Sequence, residues 1–142
     1  MNYMIERFKA TGSTVMQFAT TGDGGAYAGY VPTPGVAVIS VLAIIKMANA
    51  ADMTLTLKTD DDGAGTNATA LTENVPIWKN WVRLAADAKA ITETAATGTF
   101  IYAFQVPAII IPDDKYLSIA SDAGNAANVY TAFAMEDVYN KG

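Results

Sequence analysis

The chain has 142 residues, nine Lys or Arg against fourteen Asp or Glu, and a formal net charge of −5 at pH 7. This length suits one domain, and 51% hydrophobic residues suffice for a packed core. Because Cys and His are absent, disulfides, thiol nucleophiles and His-based acid–base chemistry are excluded. The acidic balance also lacks the basic footprint of nucleic-acid binding. We therefore expect no enzyme, no metal, no cofactor and no nucleic-acid partner.

The start of the chain and its most apolar stretch argue against a secretory signal and a membrane span. Glu6, Arg7 and Lys9 stand where a signal peptide needs an apolar run. The apolar stretch of residues 36–45 is interrupted by Ser40, and a membrane helix needs about 20 apolar residues. We expect no membrane partner.

The first segments along the chain predict one strand and a pliable loop. Residues 14–19 have the composition of a strand, and residues 20–30 contain four glycines. Pro32 and Pro34 follow and prevent a helix there. We therefore predict an N-terminal arm with a glycine-rich loop over residues 1–34. The alternative is that this segment folds back as two ordinary strands and a loop.

The β-sandwich core is expected over residues 35–142, in the same domain as the arm. It opens at residues 35–46, which are apolar and β-branched almost throughout, as in a central strand covered on both faces. Residues 53–59 alternate between apolar and polar, so one face should be buried and the other solvated. They end at an acidic turn, residues 60–65.

The middle of the chain is less regular. Residues 67–74 predict an edge strand or a loop, and Pro76 places its surroundings at a sheet edge or a strand start. Residues 84–96 leave two alternatives open. Their alanines favour a short helix, whereas their weak periodicity favours a ragged strand or a loop.

The last third of the chain predicts three more strands. Residues 98–106 are aromatic or branched on one face and apolar on the other, which indicates an interior strand. A turn at residues 112–115 precedes the next strand, and the last strand covers residues 128–135. With turn signals about every ten residues, the sequence predicts an all-β fold, a single antiparallel jelly-roll-like β-sandwich of about eight strands.

The acidic turn places three carboxylates where a calcium loop could start. An EF-hand loop needs oxygen ligands at alternate positions and a Glu at the twelfth. Counting from Asp60, Ala64 is fifth and Leu71 is twelfth, and neither side chain can ligate. The EF-hand is excluded, which leaves a solvated turn or an irregular calcium site.

The glycines of residues 22–29 do not form a dinucleotide-binding loop. Tyr27 stands where the last glycine of Gly-x-Gly-x-x-Gly belongs. A mobile loop, or an arm that reaches a neighbouring molecule, is the better interpretation.

Trp78 and Trp81 could form a platform on which a sugar ring stacks. On a strand, residues three apart point to opposite faces, which disfavours a shared platform. We expect one tryptophan in the core and the other at a surface or interface.

Strand–turn–strand patterns recur in residues 97–106, 111–117, 128–134 with Tyr139, and in residues 51–58 before the acidic turn. They resemble small β-sandwich proteins of tailed bacteriophages that are encoded near capsid genes and often taken to be head decoration proteins. In those proteins the turn before the Lys-Tyr pair is usually Asp-Gly, where this chain has Asp113-Asp114.

The resemblance implies a virion structural protein, a capsid decoration or cement protein on the capsid surface, made in the host cytoplasm. Its expected partners are copies of itself, with a trimer favoured by analogy, and the major capsid protein lattice. Aromatic residues on a pliable backbone can bury large areas against a partner. The candidate interface residues are Tyr3, Phe8, Phe18, Tyr27, Tyr30 and Trp78.

The alternative function is a carbohydrate- or receptor-binding β-sandwich module of a phage fibre or tail. Solvent-exposed, paired tryptophans would favour this module. A flat apolar face that is continuous with the N-terminus would favour the lattice protein.

Overall fold

The computed structural model describes residues 15–21, 29–32, 34–94 and 97–137, and the regular structure of this part is almost entirely β. One short 3-10 helix, Ala108–Ile110, lies among the strands. The strands are β1 Val15–Thr21, β2 Gly29–Tyr30, β3 Val38–Met47, β4 Met53–Asp60, β5 Thr69–Ala70, β6 Ile77–Lys79, β7 Val82–Arg83, β8 Ala90–Glu93, β9 Gly98–Pro107, β10 Tyr116–Ala123 and β11 Val129–Asp137. No helix in these described ranges is long and apolar enough to cross a membrane.

The strands form two antiparallel sheets. The six-stranded sheet has the order β1-β11-β3-β9-β6-β7, and the five-stranded sheet has the order β2-β10-β4-β5, with β8 also pairing with β4. If β5 and β8 count as two parts of one strand, the eight main strands follow the order 1-8-3-6 in one sheet and 2-7-4-5 in the other. This is the strand order of a jelly roll. The all-β sandwich is confirmed, and the hairpin of β6 and β7 is an insertion that widens the six-stranded sheet.

The long predicted strands are present, with small shifts at their ends. β3 lies in the middle of the six-stranded sheet and pairs with β11 and β9 along its whole length. It begins at Val38 rather than at the predicted Gly35, because Gly35 adopts a φ of +85° in a turn. The inward side chains Ile39 and Ile45 have no exposed surface, as expected for a central strand.

The open alternatives for residues 84–96 resolve to a loop and a short strand. β8 occupies Ala90–Glu93 and pairs with β4, with Ile91 opposite Leu55. Ile91 is buried in the core, so tertiary packing overrides the helix propensity of the neighbouring alanines.

The described parts of the N-terminal segment belong to the sandwich. β1 pairs with β11, and β2 pairs with β10, each at the edge of its sheet. This arrangement matches the alternative of two ordinary strands for these residues. Residues 1–14, 22–28 and 33, which make up the remainder of the predicted arm and its glycine-rich loop, lie outside the described residues.

The two sheets meet in one hydrophobic core to which the long strands contribute alternate residues. Tyr130 of β11 is 1% exposed, and its hydroxyl donates a hydrogen bond to the Ile119 carbonyl of β10, 3.3 Å away. Burial raises the pKa of Tyr130 to about 12. Its hydroxyl therefore stays protonated near neutral pH and joins the two sheets.

One end of the sandwich is closed by asparagine side chains. Asn128, which has no exposed surface, accepts a hydrogen bond from the Asn49 amide nitrogen at 2.9 Å and donates to the Ala51 carbonyl at 2.9 Å. Asn125 accepts from the Asn49 side chain at 3.2 Å. The turn between β3 and β4 is thereby tied to the turn between β10 and β11.

Replacing Asn128→Ala should lower the free energy of unfolding by roughly 1–3 kcal/mol, because it leaves partly buried backbone groups of Asn49 and Ala51 without their Asn128 partner. Urea denaturation monitored by tryptophan fluorescence measures the loss. Asn125→Ala is the control, since its bond to Asn49 is exposed and should contribute less. Equal losses for the two variants would contradict the assigned role of Asn128.

Candidate functional site

The outer faces of the two sheets differ in chemistry. Side chains alternate between the faces of a strand, so on β3 the residues between the buried ones point away from the core. Leu42 and Ile44 are such residues, and both are half-buried. On β4 the corresponding outward residues are Thr54, Thr56 and Lys58. The outer surface of the six-stranded sheet is thus apolar at its centre, and that of the five-stranded sheet is polar.

Strand register brings the apolar outward residues into adjacent rows. Leu42 pairs with Phe133 on one side and with Ala103 on the other, and Ala103 pairs with Trp78. In the next row, Ile44 pairs with Ile101. Together they form a surface, here called the apolar face, of five half-buried residues on four neighbouring strands, with the buried Ala103 between them: Leu42, Ile44, Trp78, Ile101 and Phe133.

Polar residues border the apolar face at both ends of its strands. Ser40 pairs with Gln105 at one end, and Lys46 pairs with Thr99 at the other. Lys46 is exposed and is the charged residue among the outward positions of β3, β6 and β9. An apolar centre within a polar rim is the usual anatomy of a protein–protein interface.

The opposite outer surface has the chemistry of a solvated face. The hydroxyls of Thr54 and Thr92 are hydrogen-bonded at 2.8 Å across β4 and β8. Asp122, paired with Thr54, is exposed. An antiparallel sheet of a sandwich commonly has one buried and one solvated face, and this sheet follows that pattern while the six-stranded sheet departs from it.

A tight hairpin at the edge of the six-stranded sheet separates the two tryptophans. Asn80 and Trp81 have φ values of +47° and +70°, as a type I′ turn requires at both central positions. Asn80 fixes the turn on β9, because its amide donates to the Ile101 carbonyl at 2.7 Å and its side chain accepts from the Ile101 amide at 3.0 Å. Trp81, 46% exposed, is therefore presented to solvent on a fixed backbone.

The expectation of one tryptophan in the core is wrong. It assumed that both tryptophans lie on one continuous strand, and the hairpin turn interrupts that strand. Trp78 lies on the outer surface, where it is half-buried, and the Arg83 guanidinium lies 5.3 Å from the centre of its ring. Arg83 also forms an ion pair with Asp87. One face of the Trp78 ring is thus occupied by a cation, and Trp81 lies in the hairpin turn rather than on the strand that carries Trp78.

Of the other five candidate interface residues, the structure describes two. Phe18 lies in β1, within an irregular stretch of its pairing with β11, and Tyr30 lies in β2 opposite Leu117. Tyr3, Phe8 and Tyr27 lie outside the described residues.

The sequence analysis missed the apolar face although its signal was present. Residues 35–46 and 98–106 are apolar on both of their faces, which was interpreted as an interior position. In a two-layered sandwich only one face of each strand can fill the core, so the second apolar face lies on the outer surface.

A second polar cluster joins the two sheets. The carboxylate of Glu93 on β8 is paired with the Lys79 ammonium of β6 at 2.7 Å and accepts a hydrogen bond from the Tyr102 hydroxyl of β9 at 2.7 Å. Glu93 is 5% exposed. Lys79 also lies 4.9 Å from the centre of the Phe100 ring, which adds a cation–π contact. Burial, followed by the contact with Glu93, raises the pKa of Tyr102 well above its usual value.

The acidic turn satisfies its own backbone. Asp62 accepts hydrogen bonds from the Thr66 hydroxyl at 2.6 Å and the Ala64 amide at 2.8 Å, and the bond from Thr66 contributes most to holding its pKa below the usual range. Asp61 is paired with Lys115, which lowers the pKa of that carboxyl in the same way. Among the described residues no group of three or more acidic side chains could hold a metal ion. Asp61 and Asp62 fit the interpretation of a solvated turn, whereas Asp60 has no exposed surface and its Oδ2 has no hydrogen-bond partner.

Comparisons with protein-family models, curated proteins and solved structures give no match. Nothing in these comparisons links the chain to phage head proteins, and that resemblance stays a prediction from the sequence patterns.

Replacing Trp81→Gly should raise the free energy of unfolding by about 1 kcal/mol, because a residue with a Cβ is strained at positive φ and Asn-Gly is the preferred pair in a type I′ turn. Urea denaturation measures the gain. Trp81→Ala is the control, since it removes the ring but keeps the strain. A glycine variant less stable than the alanine variant would show that the positive φ is not strained here.

Replacing Lys79→Met should cost roughly 1–3 kcal/mol in unfolding free energy, because it leaves the buried Glu93 carboxylate without its cation. Adding Glu93→Gln to the same chain should recover most of the loss, since the amide oxygen still accepts the Tyr102 hydrogen bond and no charge remains. A double-mutant cycle of urea denaturation curves measures this coupling. Additive losses would contradict it.

Proposed function

We propose that the protein is a structural component of a phage virion, a decoration or cement protein that stabilises the head through contacts with the capsid lattice. The observation that carries the proposal is the apolar face within its polar rim. Monomeric soluble proteins rarely expose large contiguous apolar surfaces, and such surfaces usually mark interaction sites. A protein whose outer surface is apolar on only one sheet is suited to lie flat against another protein.

The fold and the sequence patterns support the same proposal from different directions. Jelly rolls are common in viral capsid and lectin domains, although a fold alone does not determine a function. The sequence resembles phage head decoration proteins in residues 97–106 and 111–117. The site, the fold and the resemblance are each compatible with a role that needs stable contacts.

The sheet that carries the apolar face is also continuous with the N-terminal strand. β1 extends the same sheet beyond β11, with Gln17 opposite Phe133 and Val15 opposite Met135. An apolar face that continued onto this strand would favour a lattice protein over a sugar-binding module; the sheet continues, but the residue opposite Phe133 is the polar Gln17. A paired tryptophan platform would favour the module, and Arg83 over the Trp78 ring counts against one.

The second candidate function is a carbohydrate- or receptor-binding module, and one observation favours it. Trp81 is 46% exposed on a turn that is held to β9 by two hydrogen bonds. A rigid, exposed indole is a good surface for stacking on a sugar ring or for insertion into a protein pocket. In that case Trp81→Gly would abolish binding while stabilising the fold.

The proposal predicts that the protein is found by mass spectrometry in purified particles from the source that carries this gene. It further predicts that Ile44→Lys weakens binding of the purified protein to particles that lack it by at least about tenfold, or roughly 1.4 kcal/mol. The reason is that a charge would have to be buried in the centre of the apolar face. Co-sedimentation with particles measures the binding.

Thr56→Lys is the matched control, because Thr56 is half-buried on the outer surface of the five-stranded sheet. It should bind particles as the unaltered protein does. Absence of the protein from particles would contradict the proposed function, and equal binding by both variants would exclude the apolar face as the contact. Binding to glycans that is lost in Trp81→Gly would favour the second candidate.

A further inference from the structure

We infer that the end of the sandwich formed by residues 31–32, 34–37, 61–68 and 108–115, here called the loop end, docks into an apolar pocket with a basic rim on a protein partner. Ile109 is the anchor that enters the pocket. The inference rests on the proposed function and deepens it, because it gives the decoration protein a second contact, with a neighbouring subunit of the capsid lattice. A protein that holds a lattice together has to contact more than one subunit.

Strand register brings three loops together at the loop end. β3 begins opposite the end of β9, and β10 begins opposite the end of β4, so the loops that precede β3, follow β4 and follow β9 lie at the same end of the sandwich. Two contacts tie these loops to one another. The Ala108 amide donates to the Ala37 carbonyl at 2.9 Å, and Lys115 forms an ion pair with Asp61. The loop end is therefore one connected surface.

Ile109 projects from this surface on a fixed backbone. It is the most exposed large apolar side chain of the described residues, at 93%. It lies in the 3-10 helix Ala108–Ile110, whose other two residues pack against the core. The next residue, Ile111, is 5% exposed, and its amide donates to the Ala108 carbonyl at 3.0 Å. A side chain on such a fixed backbone loses little conformational freedom when it enters a pocket.

A second exposed apolar residue accompanies Ile109. Isolated apolar residues are common on protein surfaces, but Val31, which is 49% exposed, lies in the loop that is hydrogen-bonded to the 3-10 helix. The described residues include four exposed large apolar side chains, and the other two, Trp81 and Val82, belong to the hairpin of β6 and β7. Exposed apolar area is thus concentrated at the loop end and at that hairpin.

The charge of the loop end selects a basic partner. Its loops carry four exposed Asp and one Lys, a formal net charge of −3, whereas the whole chain has −5: Asp61, Asp62, Asp113, Asp114 and Lys115. Like charges that face each other destabilise an interface, and opposite charges attract a partner. A second loop end and an anionic membrane would both be repelled. The occupant is therefore a different protein, whose pocket is bordered by Lys or Arg.

The loop end and the apolar face point in different directions. The apolar face lies on the side of the six-stranded sheet, and the loop end lies where the strands end. Since outward side chains stand perpendicular to their strand, the two surfaces are roughly at right angles. They have no residue in common, so one chain can contact two neighbouring subunits at once.

Co-sedimentation of the full chain with particles that lack it tests the anchor. Ile109→Ser should weaken binding by at least about tenfold, because burial of an Ile side chain is worth more than one tenfold step in affinity. Ile109→Val, which loses a single methylene group, should weaken it by no more than about fivefold. Because Ile109 is 93% exposed, both variants should keep the circular dichroism spectrum and the urea midpoint of the unaltered protein.

Salt and a charge variant test the basic rim. Binding of the unaltered protein to particles should weaken as the salt concentration rises. The double variant Asp113→Asn with Asp114→Asn should bind more weakly at low salt and respond less to added salt. Glu73→Gln is the matched control, since Glu73 is an exposed carboxylate outside the loop end, and it should behave as the unaltered protein does. An equal salt response of the double variant and the unaltered protein would overturn the basic rim.

The same binding assay separates this inference from the proposed function. If Ile44→Lys weakens particle binding while Ile109→Ser binds as the unaltered protein does, the proposed function stands and the loop end is overturned as a second contact. If the unaltered protein does not bind particles, the proposed function fails and the inference fails with it. Dimerisation that Ile109→Ser abolishes in sedimentation equilibrium, or binding to phosphatidylglycerol vesicles, would overturn the choice of a basic protein partner.

Discussion

The alternation of side chains along β3 and β9 is the constraint on which the rest of the molecule depends. Each strand must direct every second residue to the opposite face, and both strands are apolar on both faces. Ile39 and Ile45 on one face fill the core with no exposed surface. The other face, with Leu42 and Ile44, has no second sheet to cover it among the described strands. The same two strands thus create the core and the apolar face on which the proposed function rests.

Polar contacts fix the arrangement of the two sheets, which apolar packing alone would leave loosely defined. Asn128 ties two turns at one end of the sandwich. Glu93 joins β8 to Lys79 and Tyr102 of the other sheet. Each contact connects segments far apart in sequence and involves a group that would be costly to bury alone. They therefore favour this register over others that would bury the same apolar surface.

The sequence was sufficient to predict the long strands and the sandwich, because residues 53–59 and 98–106 carry their pattern locally. It did not predict the hairpin at Asn80 and Trp81, since a tryptophan at positive φ is contrary to local preference. The apolar face was not identified either, because its rows are assembled from four strands by pairing across the sheet. Glu93 and Lys79 likewise become a site only when the two sheets meet. What depended on local pattern was predicted, and what depended on long-range register was not.

The hairpin and the apolar face each contain a residue that another residue type would suit better in an isolated monomer. Trp81 occupies a turn position that glycine would fill with less strain, and Ile44 occupies an outward position that a polar residue would fill with less exposed apolar area. β4 shows that polar outward residues are compatible with this fold, since Thr54 and Thr56 occupy the equivalent positions in the other sheet. Folding therefore does not require an apolar outer surface, and the proposed contact with a partner would explain it. Trp81 is exposed at the free edge of the same sheet. The proposed contact would also explain this exposure if it extends from the centre of the sheet to its β7 edge.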